Sequence, residues 1–261
     1  MTQLNAVRVL GLSLLVLTSA CAGGGSLEKE AEVPVAKVSV ENNASMGREV
    51  ATEIFRTSSL IQSSESLKYI NTVARYIGGS VTTAVKCPTA VTPADQVRVA
   101  ILQSPGGSNA AAQKLLYSVP GGFVFVSTAF LANVDSEDEL AGLLAREIVH
   151  SLCEHGVPKD LAAQAADGWA GYLSKISVTP LKRDQQMFAD KVALNSLYKS
   201  GYEILPYVRF VEKNETSLKA RSTNGKERAL LLNKMASNAR GIRPSAAARK
   251  ARFETFKGDL R

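Results

Sequence analysis

The amino-acid sequence predicts a mostly helical α+β domain, in which a small β-sheet packs on a helix that carries a candidate site. Three observations support this fold class. Apolar residues recur at three- and four-residue spacing over most of the chain, which is typical of amphipathic helices. Two short β-branched segments, at residues 96–105 and 121–130, interrupt that pattern and are bounded by Pro and Gly. The 261 residues, 45% of them hydrophobic, suffice for one substantial core.

An export segment precedes the predicted domain. Residues 1–20 contain Arg8 as their only charge, then an apolar run, and then small residues directly before Cys21. This pattern predicts a signal peptide and resembles a bacterial lipoprotein signal, in which Cys21 is acylated and becomes the mature N-terminus. An ordinary secretory signal that is cleaved near Ala20 or Ala22 is the alternative.

The residues after this segment predict a tether and a location. Residues 21–43 are small, polar and Pro-containing, which indicates a flexible link between a membrane and a domain over residues 44–257. Ala22 is not the aspartate that retains enterobacterial lipoproteins at the inner membrane. We therefore expect an outer-membrane lipoprotein in a bacterial cell envelope, facing the periplasm and held by its lipid anchor.

The local pattern predicts the elements in order. Two amphipathic helices fit residues 46–81, with a break near residues 58–66. The segments 96–105 and 121–130 predict two strands, and residues 106–119 between them predict an irregular insert.

A further helix begins after Ser136. Ser136 is a suitable N-cap, Glu139 follows three residues later, the first turn is acidic, and Gly156 lies past the end. More helices are predicted at about 159–175, 180–201, 203–214, 225–239 and 244–257.

The helix after Ser136 carries "LAREIVHSLCEHG", residues 144–156, which differs at one position from the HExxH motif of zinc peptidases. Arg146 stands at the first histidine ligand, Glu147 at the general base and His150 at the second ligand. Arginine has no lone pair to give to a metal ion. The only other histidine, His155, lies about 140° from His150 on a continuous helix. The two histidines therefore cannot share an ion unless the helix ends between them.

Five segments in order carry a family resemblance. They are "SPGGSNA" (104–110), "PGGFVFVSTAFL" (120–131), "EDELAGLLAREIVHSLCEHG" (137–156), "QMFADKVALNSLYKSGY" (186–202) and "RPSAAAR" (243–249). Together they resemble zinc metallopeptidases of the HtpX and BepA kind, which are relatives of the prenyl-protein proteases. The resemblance implies a minigluzincin domain with a small sheet packed on the motif helix.

The resemblance also identifies departures from the family pattern. The glutamate of the family's E-x-x-A-D signature is its third zinc ligand, and Gln186 stands there. Arg243 replaces the histidine before the closing proline. Of the three protein ligands only His150 remains, although Asp190, the acid of the second signature, is retained. We therefore expect no metal cofactor bound in the family's manner.

The same resemblance suggests what occupies the altered site. We expect Arg146 to project into the volume of the missing ion and to be neutralised by Glu147 and Asp190, because an unpaired buried cation is costly. Glu147 would then be a vestigial base. The plainer reading of His150 is a hydrogen-bonded core histidine.

The predicted function is that of a non-catalytic pseudopeptidase that binds, chaperones or scaffolds envelope proteins or peptides. We expect an extended peptide to add to the edge of the 121–130 strand. The residues of that groove are Gly121, Gly122, Phe123, Val124 and Phe125. An active zinc-dependent metalloendopeptidase with a variant ligand set, acting on envelope proteins, is the alternative.

Basic residues are concentrated in the C-terminal region of the chain. The net charge is +7, and residues 213–261 hold thirteen Lys or Arg against four Asp or Glu. These basic residues are scattered without interleaved aromatics, so nucleic acid is not a predicted partner. Binding of anionic lipid or glycan by this end is a third hypothesis.

Two cysteines lie within the predicted domain. For Cys87 and Cys153, a disulfide and two buried free thiols are both open.

Overall fold

The structure is a computed structural model, and it describes residues 40–85, 87, 97–104, 115–155, 181–214, 225–237 and 246–260. The predicted signal peptide, the predicted helix at 159–175, Cys21 and Arg243 lie outside the described residues. The elements in chain order are α1 (Val40–Thr57), α2 (Ser64–Thr82), β1 (Arg98–Leu102), β2 (Leu116–Val119), β3 (Phe123–Ser127), α3 (Thr128–Leu131), α4 (Glu137–Leu152), α5 (Arg183–Lys199), α6 (Ile204–Lys213), α7 (Gly225–Ser237) and α8 (Ala246–Asp259).

The predicted α+β class, mostly helical with a small sheet, is confirmed. The break predicted near residues 58–66 falls between α1 and α2, and the helices predicted after residue 180 correspond to α5, α6, α7 and α8. α1 begins at Val40, inside the stretch that the sequence assigned to the tether. Among the described residues, no helix has the length and apolar character that crossing a membrane requires.

The sheet has three strands in the order β1-β3-β2, with β1 parallel and β2 antiparallel to β3. β2 lies in the stretch 106–119 that was predicted to be irregular, so that prediction was wrong for its last four residues. Residues 120–122 close the β2–β3 hairpin. Gly121 and Gly122 have φ angles of 83° and 86°, which non-glycine residues rarely adopt.

The central position of β3 contradicts the predicted peptide groove. Residues 123–127 all pair with β1 on one side, and residues 123–126 also pair with β2 on the other. Gly122 accepts a hydrogen bond from the backbone N–H of Arg98 through its carbonyl oxygen (2.8 Å). The edge of the 121–130 strand, including Gly121, Phe123, Val124 and Phe125, is therefore not available for strand addition. The hairpin partner β2 occupies it.

Helices cover both faces of the sheet. One face meets α1 through a small cluster in which the rings of Tyr117 and Phe125 stack at 5.4 Å. The opposite face carries Val124 and Val126 into the main core with α2 and α4. This alternation follows from the period of two along a strand. β2 lies directly beside α4, the helix that carries the motif.

The predicted start of α4 is confirmed. The Ser136 Oγ accepts a hydrogen bond from the backbone N–H of Glu139 (3.2 Å), as an N-cap does. The first-turn acid Glu137 accepts bonds from the hydroxyls of Tyr69 (2.8 Å) and Tyr202 (3.1 Å). These bonds fix the N-terminal end of α4 against α2 and the segment before α6.

Basic residues of α8 also bind the N-terminal end of α4 and the end of α3. The Arg252 guanidinium donates to Glu137 (Nε–Oε2 2.5 Å), and Arg249 pairs with Asp138 (Nε–Oδ1 3.2 Å). The Lys257 ammonium donates to the Leu131 carbonyl oxygen at 2.7 Å. Three cations of the basic C-terminal region are therefore bound within the domain, which weakens the hypothesis of an anionic surface ligand there.

Candidate functional site

The site is built on α4, a helix in which every residue from Glu137 to Leu152 is buried. Gly142 permits one of the close contacts. A Cβ atom at this position would lie 2.5 Å from Cγ of Tyr207, so only glycine lets the Tyr207 ring of α6 pack across α4. The tyrosine hydroxyl then reaches Asp190 of α5 (2.8 Å).

Arg146 and Glu147 form an ion pair in the middle of α4. The Arg146 Nη1 donates to Oε1 of Glu147 at 2.5 Å, and the Ser118 hydroxyl of β2 donates to Oε2 at 3.2 Å. Arg146 is 6% exposed and Glu147 is 0% exposed. Each carboxylate oxygen of Glu147 therefore accepts a hydrogen bond from a buried group of this chain.

Asp190 brings a second cation into the cluster. Its Oδ1 lies 3.5 Å from Nε of Arg146 and accepts a hydrogen bond from Nη2 of Arg228 at 2.7 Å. Nε of Arg228 pairs with the other carboxylate oxygen, Oδ2. Arg228 belongs to α7 and is 3% exposed. The carboxylate of Asp190 thus receives polar contacts from α4, α6 and α7, with Tyr207 as the α6 donor.

Gln186 lies four residues before Asp190 on α5, so the two side chains leave the helix on the same face. Gln186 is 3% exposed, and its amide Nε2 donates to the carbonyl oxygen of Leu181 at 2.9 Å. Gln186, which the sequence predicted at an altered ligand position, therefore acts as a donor to the backbone.

His150 and His155 meet because α4 ends at Leu152. The backbone N–H of His155 donates to the His150 carbonyl oxygen (2.9 Å), and Glu154 turns the chain at a φ angle of 52°. This arrangement is a Schellman-type helix end. It brings the two Nδ1 atoms to 2.9 Å. Burial, and then the nearby charge of Arg146, lower the pKa of His155 to about 4, so its imidazole is neutral at pH 7.

A disulfide joins Cys87 to Cys153, the C-cap residue of α4, with a Cα–Cα distance of 5.1 Å. The bond links residues that are 66 positions apart and ties the chain after α2 to the end of the motif helix. Of the two alternatives left open by the sequence, the structure has the disulfide.

The donor chemistry of this site does not fit a divalent metal ion. Arg146 is a permanent cation, and it lies on the helix face that also carries His150. The described residues contain no group of three or more His, Cys, Asp or Glu side chains arranged to hold a metal. A guanidinium beside the two carboxylates repels the ion that those carboxylates would otherwise attract.

Three contributors were not found from the sequence. Arg228 and Tyr207 contact Asp190 from helices that the sequence shows only as amphipathic segments. Ser118 lies on β2, which was not predicted at all. The only local signal for Arg228 is a basic residue on an otherwise buried helix face, and the sequence does not reveal which acid it meets. Among the residues that were predicted, Arg146, Glu147 and Asp190 do converge.

Comparisons with known proteins point to one family. The model of peptidase family M48 matches residues 81–249, which is more than half of the chain. The match contains α4 with Arg146, Glu147 and His150, α5 with Gln186 and Asp190, and α7 with Arg228. A search of the curated proteins finds no match.

Proposed function

Because this chain belongs to peptidase family M48, we propose that it is a non-catalytic member that binds extended segments of envelope proteins. The hydrogen bonds of the Glu147 carboxylate are the main support for a non-catalytic role. Both of its carboxylate oxygens accept hydrogen bonds, one from Arg146 and one from Ser118. In a zinc peptidase the base acts on a water molecule that the metal activates, whereas here the permanent cation Arg146 is paired with the carboxylate. Glu147 is instead the counter-ion of a buried arginine.

The peptide-binding half of the proposal rests on the outer edge of β2. The backbone N–H of Ser127 donates to the Leu115 carbonyl oxygen (2.8 Å), which makes Leu115 and Ser127 a hydrogen-bonded pair. Antiparallel pairs alternate, so the N–H and C=O groups of Leu116 and Ser118 are directed away from β3. Among the described residues no strand pairs with this edge.

This edge lies beside the altered site. The Ser118 hydroxyl contacts Glu147, so a strand added to β2 would run along α4 next to the arginine cluster. Backbone hydrogen bonds would supply affinity with little dependence on the client sequence. A chain that binds without cleaving fits a chaperone or scaffold better than a processing enzyme.

The proposed location is the periplasmic face of the outer membrane. The export segment and Cys21 support it from the sequence. The Cys87–Cys153 disulfide independently supports export to an oxidising compartment, because such bonds persist there and are rare in the cytosol.

A proline at position 116 tests the peptide-binding edge. Leu116→Pro removes an outward N–H and leaves the bonds between β2 and β3 in place. We expect binding of fluorescent unfolded β-casein, measured by anisotropy, to weaken about tenfold through the lost hydrogen bond.

Leu116→Ala is the matched control, since it shortens the same side chain and keeps the N–H. We expect it to bind β-casein more tightly than Leu116→Pro does, with both variants folded by circular dichroism. Equal affinities of the two folded variants would show that clients do not bind by strand addition at β2.

A further inference from the structure

Four ionised side chains form a closed cluster at the centre of the domain. They are two arginines and two acids, all at most 6% exposed: Arg146, Arg228, Glu147 and Asp190. Their charges cancel. His155, whose pKa is lowered to about 4 by burial and then by Arg146, adds no charge beside the cluster at pH 7.

We infer that Arg146 and Arg228 are the chain's own replacement for a divalent cation, holding the helices of the site together and closing it to metal ions. The family match implies a metal site, and the donor set present does not fit one. Two guanidiniums supply the same double positive charge from within the chain. The arginines would have this role whether or not a peptide binds at β2.

Each arginine connects a different pair of helices. Arg146 connects α4 to α5 by contacting both Glu147 and Asp190. Arg228 connects α7 to α5 through a two-atom pairing with Asp190, and its Nη2 lies 3.5 Å from the Tyr207 hydroxyl. A metal ion gathers ligands from several elements in the same manner. Here the two arginines join α4, α5 and α7 through the carboxylate of Asp190, which both of them contact.

The summed charge of the four side chains is the reason that we expect the cluster to exclude metal ions. With both arginines in place the four charged groups sum to zero, and an added divalent cation would meet Arg146 at close range. Without the Arg146 charge, two carboxylates would face Arg228 alone, leaving one net negative charge near the imidazoles of His150 and His155. Carboxylates and imidazoles are ordinary ligands for Zn²⁺ and Co²⁺. Arg146 is therefore the residue that decides between a salt-bridge cluster and a metal-binding cluster.

The test is thermal unfolding of the purified protein with added Zn²⁺, with added Co²⁺ and with a chelator. We expect the Tm of the wild type to be unchanged by all three. Arg146→Met keeps an unbranched, apolar stem and removes the charged guanidinium. This variant should lose roughly 10 °C in Tm without metal, as expected for breaking a buried ion pair, and should regain part of that loss with Zn²⁺ or Co²⁺.

Two further variants keep the test decisive. Arg209→Met changes an exposed arginine of α6 and should match the wild type in every condition. Arg146→Lys keeps the positive charge and should remain insensitive to metal, even if Arg146→Met fails to fold. A wild-type Tm that rises with Zn²⁺ or falls with chelator would overturn the inference. So would an Arg146→Met protein as stable as the Arg209→Met control, or an Arg146→Lys protein that Zn²⁺ stabilises.

Discussion

Asp190→Ala is expected to lower the free energy of unfolding by about 3–5 kcal/mol, among the largest effects of any single substitution in this domain. The carboxylate of Asp190 is fully buried, and it is the partner that Arg228 has in the cluster described above. Its removal leaves a buried guanidinium without a counter-charge and the Tyr207 hydroxyl without its acceptor. Urea unfolding followed by circular dichroism measures the loss.

Asp184→Ala is the matched control on the same helix. Asp184 is exposed in the first turn of α5, where an acid contributes only through the helix dipole, about 0.3–1 kcal/mol. If Asp190→Ala proved no more destabilising than Asp184→Ala, the buried ion cluster would not be what holds α5 and α7 together.

Reduction of the Cys87–Cys153 disulfide is expected to lower the free energy of unfolding by a similar amount. Closing a loop between residues 66 positions apart restricts the unfolded chain, and the chain-entropy relation gives about 4 kcal/mol for that length. The bond also holds Cys153 at the helix end where His150 and His155 meet. We expect the urea midpoint to fall markedly when dithiothreitol is added.

The double variant Cys87→Ala with Cys153→Ala separates the disulfide from other effects of the reductant. Its urea midpoint should lie near that of the reduced wild type and should not respond to dithiothreitol. A wild-type midpoint that is the same with and without dithiothreitol, under conditions where thiol titration shows full reduction, would contradict this account.

The sequence predicted the elements whose signals are local. The Ser136 cap and the acidic first turn place the start of α4 correctly, because capping depends on neighbouring residues alone. The contacts among Arg146, Glu147 and Asp190 were predicted through the spacing of two motifs on helices that pack together.

Features that depend on long-range pairing were missed. β2 has four residues and exists through its ladder with β3, so its own pattern was too short to distinguish it from an irregular segment. The same omission made β3 seem to be an edge strand. The sequence left a contact between His150 and His155 open only if the helix ends between them, and the left-handed turn at Glu154 provides that end. Glutamate gives no hint of that conformation, which glycine usually marks.

The most direct test of the central claim is the zinc content of the wild-type protein, prepared without chelators and measured by elemental analysis together with casein cleavage. Glu147→Gln is the paired variant, because it removes the acid that a zinc peptidase uses as its base. We expect no stoichiometric zinc and no cleavage that differs between the wild type and Glu147→Gln. One zinc ion per chain, with cleavage that Glu147→Gln abolishes, would contradict the account and identify an active peptidase with a variant ligand set.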